Sequence, residues 1–178
     1  MFTGYRAGYN NTSGNDNLFM GNKAGYQNTT GNKNIGIGYE TGYTNETGSK
    51  NILIGDEAGR DGGSAVQKNI MLGSLAGKNN SGSKNIFIGT AENDSLGVGM
   101  NTTGNFNTFI GVDAGLNNTS GAENINIGSH AGKENTTGDN NFSNLLSQIE
   151  FNSNFCQSNS GGTNNSGEIY SSGTGQGI

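Results

Sequence analysis

The sequence predicts an all-β protein, a parallel β-solenoid of about eight short coils. One pattern recurs about every 17 residues, and within it glycines and alternating apolar residues keep fixed places. A period this short fits one coil of a β-solenoid and is too short for a helix pair or a propeller blade. Each coil is numbered here from its first asparagine, which is position 1.

An anchor asparagine begins each coil, and successive anchors are 17, 17, 18, 16, 22, 17 and 17 residues apart by subtraction. The anchors are Asn17, Asn34, Asn51, Asn69, Asn85, Asn107, Asn124 and Asn141. We interpret this column as a structural amide ladder, in which each side chain bonds to the one above and the one below.

A short strand follows each anchor. Positions 2 and 4 are apolar in nearly every copy, which predicts that these two side chains face inward. The pairs are Leu18/Met20, Ile35/Ile37, Ile52/Ile54, Ile70/Leu72, Ile86/Ile88, Thr108/Ile110 and Ile125/Ile127. Glycine at position 5 and usually at position 9 indicates corners that need a positive φ or a close backbone approach. Alanine, the commonest residue at position 8, is small enough to point inward at such a bend.

Position 3 should face solvent if positions 2 and 4 face inward, yet it is mostly large and apolar. The residues are Phe19, Leu53, Met71, Phe87 and Phe109, with Gly36 and Asn126 departing from the pattern. One interpretation is a second, shallower core layer. The favoured one is an inter-chain stripe where several copies meet, because a monomer would leave it exposed.

The composition is too polar for an ordinary globular core: 29% of the 178 residues are hydrophobic, and there are 33 glycines and no proline. A solenoid needs only a thin apolar column, because each coil covers the next and the backbone ladder satisfies most polar groups. The 9 Lys and Arg against 14 Asp and Glu leave no basic face for nucleic acid. Apolar runs are too short to predict membrane insertion.

One cysteine, Cys156, and one histidine, His130, predict neither an intrachain disulfide framework nor a Cys/His zinc cluster. We expect no catalytic residues, no cofactor and no metal. The residues after Met1 align with a coil strand, so we expect no signal peptide. That leaves either a fragment of a longer fibre or export by lysis or another route.

The chain divides into a repeat array over 1–141, a cap or inter-chain plug over 142–156, and a Gly/Ser/Asn-rich tail over 157–178. An open solenoid end must be covered, which is the reason for the predicted cap. The 22-residue step from Asn85 to Asn107 is either one coil with an insertion or two compressed coils.

Other columns suggest candidate sites. Position 7 is a mixed row that includes Glu40, Glu57, Asp113 and His130, which predicts a solvated face, although two carboxylates one coil apart also match a retaining glycosidase. At position 10, Tyr9, Tyr26 and Tyr43 should stack, and they are the candidate glycan contacts. Several Asn-x-Ser/Thr triplets, among them those at Asn28, Asn45, Asn101 and Asn135, are read as turns in preference to glycosylation sites.

The strand with its corner glycine resembles the head repeat of trimeric autotransporter adhesins, at Asn34–Gly38, Asn51–Gly55, Asn85–Gly89 and Asn124–Gly128. The longer pattern over Asn107–Gly121 is similar to repeats of phage-type tail-fibre proteins. The resemblance spans roughly residues 1–141. It implies a left-handed β-roll, a homotrimer or filament, a cell-surface glycan as possible partner, and a place outside the cell, on its surface or on a virion.

These observations favour a non-enzymatic structural fibre or adhesin shaft. The alternative is an ice-binding β-solenoid, which needs a regular threonine array that is here interrupted. A polysaccharide-degrading, tailspike-like enzyme is the third hypothesis and depends on Glu40 and Glu57.

Overall fold

The computed structural model describes residues 1–92 and 97–144, which form one nine-stranded parallel sheet in sequence order. The predicted β-solenoid of about eight turns is therefore confirmed. The strands are β1 (Phe2–Thr3), β2 (Leu18–Met20), β3 (Ile35–Ile37), β4 (Ile52–Ile54), β5 (Ile70–Leu72), β6 (Ile86–Ile88), β7 (Thr108–Ile110), β8 (Ile125–Ile127) and β9 (Phe142–Asn144). In these described parts, no helix is long and apolar enough to cross a membrane.

The strands pair in the register that the repeat predicts, with position 2 beside position 2 and position 4 beside position 4. The 22-residue step is one coil with an insertion, because Ile86 pairs directly with Thr108. Beyond the insertion, Val98 is buried and its carbonyl accepts from Gly77 N, so it takes the usual place of the position-8 alanine.

The parallel sheet continues three residues past residue 141, where the predicted repeat array ends. Phe142–Asn144 pairs in register with β8, so these residues form a ninth rung. The rest of the predicted cap and the whole predicted tail lie outside the described residues.

The core column lies at position 3, which corrects the predicted inter-chain stripe. The large side chains at this position are buried within a single chain. They belong to Phe19, Leu53, Met71, Phe87 and Phe109. Glycine at position 9 makes room for them, because a Cβ at Gly115 would collide with the ring of Phe109. In the coil where position 3 is Gly36, position 8 is Thr41, which is larger than the usual alanine and fully buried. The larger side chain at position 8 thus fills space that the glycine leaves empty.

Positions 2 and 4 face outward, so their predicted inward placement is wrong. Alternate residues of a strand point to opposite faces, and the ring at position 3 already fills the narrow interior beside the alanine at position 8. The alanines themselves are buried as predicted, at Ala24, Ala58, Ala76, Ala114 and Ala131.

Candidate functional site

A continuous apolar surface runs along the outside of the sheet. It consists of the side chains at positions 2 and 4 of β2–β8 and is called the strand face. Ile54 is 38% exposed, Ile125 and Ile127 are each 42% exposed, and the other side chains of the strand face are half-buried. Contiguous exposed apolar surface on a soluble protein marks an interaction site. The strand face is thus the candidate contact surface, in place of position 3.

The anchor asparagines form a buried ladder, but their side-chain amides bond mainly to backbone groups. The Oδ1 of Asn17 accepts from Asn34 N at 2.8 Å, and its Nδ2 donates across the coil to Gly31 O at 2.7 Å. The same two bonds recur at the other anchors, Asn34, Asn51, Asn69, Asn85, Asn107 and Asn124. Each anchor side chain therefore makes one hydrogen bond within its own coil and one to the backbone N–H of the next anchor. Direct hydrogen bonds between anchor amides are fewer.

Asparagines of the candidate glycosylation triplets serve the turns. Asn28 and Asn45 are buried, and each donates from Nδ2 to the carbonyl three residues later, at 3.2 Å in both cases. Asn135 makes the same bond at 3.0 Å. The turn reading therefore agrees with the geometry at these three residues, and the burial of Asn28 and Asn45 leaves no room for a glycan on Nδ2. Asn101 differs, since it is exposed.

The three tyrosines at position 10 stack, as predicted. Ring centroids are 5.3 Å apart between Tyr9 and Tyr26 and 4.9 Å apart between Tyr26 and Tyr43, with planes within 5° of parallel. Both faces of Tyr26 are covered by its neighbours. A sugar ring cannot stack on a covered face, so the middle of this column offers a glycan only ring edges and hydroxyls.

Glu40 and Glu57 lie in a chain of ion pairs. The carboxylate of Glu40 lies 2.7 Å from Lys23 Nζ and 2.8 Å from Arg60 Nε, and that of Glu57 lies 3.3 Å from Arg60 Nη1 and 2.8 Å from Lys78 Nζ. The Nε–H of Arg60 is not directed at Glu40, so that contact is an ion pair without a hydrogen bond. Four of these residues are half-buried and Glu40 is buried, so the row is less solvated than predicted.

The ion pairs set the protonation of both carboxyls. Burial would raise the pKa of Glu40, but hydrogen bonds with Lys23 and Tyr39 and the Arg60 charge hold that pKa below its usual value. A hydrogen bond from Lys78 lowers the pKa of Glu57, against the opposing effect of burial. A glycosidase needs one carboxyl with a raised pKa as its general acid. Neither Glu40 nor Glu57 has a raised pKa.

A second group of ionisable side chains was missed by sequence reasoning. Glu92, Asp113 and His130 bring one donor atom each to within 4.8 Å of one another. Asp113 and His130 are neighbours in the position-7 column, but Asp113 is buried, which corrects the predicted solvated face there. Glu92 lies in the insertion of the 22-residue step, where the repeat pattern gives no position. Nothing in the sequence pattern therefore predicted that Glu92 lies close to Asp113 and His130.

Comparisons with protein-family models, with curated proteins and with solved structures found no match to this chain. The class of protein is therefore defined by the fold itself. It is a β-solenoid repeat protein with a parallel sheet, an apolar outer face and an interior built from one apolar column and columns of asparagine.

Proposed function

We propose that this chain is a non-enzymatic segment of a structural fibre or adhesin shaft that assembles as a homotrimer through its strand face. The observation that carries the proposal is the outward row of isoleucines, with two leucines, one methionine and one threonine, over seven successive strands, β2–β8. Water contact with such a row is unfavourable, and association of several copies would cover it.

Three copies around one axis parallel to the rod would use the same face of every chain. Full burial of one isoleucine is worth roughly 1.5–3 kcal/mol, and a half-exposed one contributes only part of that. Summed over about seven strands, this gain can exceed the entropic cost of association. Nine rungs spaced by about 4.8 Å make a rod about 40 Å long, which suits a spacer.

The resemblance to adhesin heads and tail-fibre repeats supports a place outside the cell, on its surface or on a virion. A left-handed coil and a surface glycan as ligand belong to the same proposal. For the glycan, the exposed edge of Tyr9 at the end of the stacked column is the contact that its geometry favours.

Cysteine cross-linking tests the assembly. Ile52→Cys and Ile54→Cys, each in a Cys156→Ser chain, should form disulfides between copies under mild oxidation, because parallel chains bring the same rung together. Leu53→Cys, the matched control from the core column, should not cross-link. Absence of cross-linking at both outward positions would contradict the proposal.

One observation favours ice binding as a second candidate. Exposed threonines form a column in which each hydroxyl donates to a carbonyl of the next coil, as in Thr12 to Thr29 O at 3.0 Å and Thr119 to Thr136 O at 3.0 Å. Such bonding fixes the side chains at regular spacing. Glu46 interrupts the column, and no threonine continues it over Asp61–Val66 or Asn79–Ser83. A gap between the melting and freezing points of a solution of the chain would favour this function over the fibre.

A further inference from the structure

Two buried carboxylates of the position-7 column differ in how their charge is balanced. The side chain of Glu40 is 5% exposed and has two cationic partners, Lys23 and Arg60. That of Asp113 is 2% exposed, and among the described residues neither lysine nor arginine pairs with it. Its nearest ionisable nitrogen is His130 Nε2, 3.9 Å from Oδ2. A buried carboxylate is unfavourable without a countercharge, and here the countercharge is supplied either by a protonated His130 or by a bound cation.

The hydrogen bonds of Asp113 do not replace that cation. Its Oδ1 accepts a long bond of 3.4 Å from Glu92 N, and Oδ2 accepts none from the residues that the structure describes. The Oδ2 atom lies 3.9 Å from His130 Nε2, which itself lies 3.0 Å from Glu92 Oε2. Three potential ligand atoms thus lie within 4.8 Å of one another, and the one from Asp113 belongs to an almost completely buried side chain.

The spacing suits a small divalent ion. Zinc about 2.0–2.2 Å from each donor needs donor separations of about 3.3–3.6 Å in a tetrahedral site. The observed 3.0 Å and 3.9 Å lie on either side of that range. The donor atoms of Glu92 and Asp113, which lie within 4.8 Å of each other, must come closer, and rotation of the mostly exposed Glu92 side chain would achieve this. Ser129 Oγ lies 2.8 Å from His130 Nδ1, and a bond there orients the ring with Nε2 toward the carboxylates, as is usual for metal-bound histidines.

We propose that Glu92, Asp113 and His130 bind one divalent transition-metal ion of the zinc class. One imidazole and two carboxylates match zinc and its neighbours, whereas calcium and magnesium prefer oxygen ligands alone. Glu92 and His130 are partly exposed, which gives the ion a path from solvent and leaves a coordination position for water. The ion would fasten the insertion of the 22-residue coil to the two coils that follow it.

His130 is the one histidine of the sequence, so its imidazole proton signals report on this site alone. The full chain with Cys156→Ser, which removes the thiol as a competing ligand, is titrated with zinc chloride and followed by proton NMR and calorimetry. We expect saturation at one equivalent per chain, with the histidine signals shifting in step, and a higher melting temperature. No saturable shift of these signals would overturn the proposal.

Three variants separate a built site from a lone histidine. Glu92→Gln changes a mostly exposed residue and should leave the fold intact, and Asp113→Asn keeps the shape of a buried one. Each should weaken zinc binding at least about tenfold, since even residues behind the ligands have effects of that size. Glu123→Gln, an exposed carboxylate on the same coil as Asp113, should bind like the parent. Unchanged affinity in Glu92→Gln and Asp113→Asn would assign the ion to His130 alone and overturn the site.

Discussion

The rings of Phe87 and Phe109 stack inside the solenoid, with centroids 5.1 Å apart and planes inclined by 12°. Both side chains are completely buried in a single chain. They belong to successive rungs at position 3, so the interior is a column of stacked rings and large aliphatic side chains. Burial of this column and exposure of positions 2 and 4 are two aspects of one strand orientation.

Removing a ring from this column should be costly. We expect Phe87→Ala to lower the free energy of unfolding by about 3–5 kcal/mol, because the narrow interior cannot collapse around the cavity. The neighbouring Ile86→Ala, which changes a half-buried outward residue, should cost no more than about 1.5 kcal/mol. Urea unfolding measures the difference in a chain that also carries Ile54→Glu and Ile127→Glu, so that association through the strand face does not contribute, and equal losses would refute the strand orientation.

Asn126 is a polar residue within the core column, and neither of its amide atoms has a hydrogen-bond partner among the described residues. An unsatisfied buried polar group costs about 1–3 kcal/mol. Asn126→Leu keeps the number and branching of the side-chain heavy atoms and removes the polar ones, so it should stabilise the fold by about that amount. Thermal and urea unfolding should both show the gain. A loss of stability would mean that the amide is satisfied in solution.

The anchor ladder should be sensitive at any rung. Asn51 accepts from Asn69 N at 3.0 Å and donates to Val66 O at 2.8 Å, and all three groups are shielded from water. Asn51→Ala should therefore cost about 2–4 kcal/mol, since it leaves a buried N–H and a buried C=O without partners. Asn32→Ala, at a half-buried residue, is the control and should cost less. Comparable losses would show that the anchors have no special role.

Stability should fall in acid because of the ion-pair chain. The folded pKa values of Glu40 and Glu57 lie below the ordinary glutamate value of about 4.3. These carboxylates therefore stabilise the fold above that pH, and their contribution is lost as the pH falls through the lowered folded values. The urea midpoint, measured from pH 7 to pH 3, should drop below about pH 4.3. A chain with Glu40→Gln and Glu57→Gln should show a shallower drop, and parallel curves would contradict the assignment.

The repeat itself was readable from the sequence, because a fixed period, glycine corners and anchor asparagines leave few folds. The orientation of the strands could not be read from the sequence. Positions 2, 3 and 4 are mostly apolar, so no alternation of apolar and polar residues identifies the inner face. Two signals point to the observed answer: glycine at position 9, which provides space for a ring at position 3, and the paired change to Gly36 and Thr41. The cluster of Glu92 with His130 depends on an insertion, which periodicity cannot place.

The mass of the folded chain in solution tests the proposed assembly most directly. Light scattering at low micromolar concentration should give about three times the chain mass of 18.3 kDa. Ile54→Glu with Ile127→Glu places charges on the strand face and should lower the mass to that of one chain while the circular dichroism stays unchanged. Thr137→Glu, an exposed residue in the polar half of its coil, should leave the mass at three chains. A folded parent chain with the mass of a monomer would contradict assembly through the strand face.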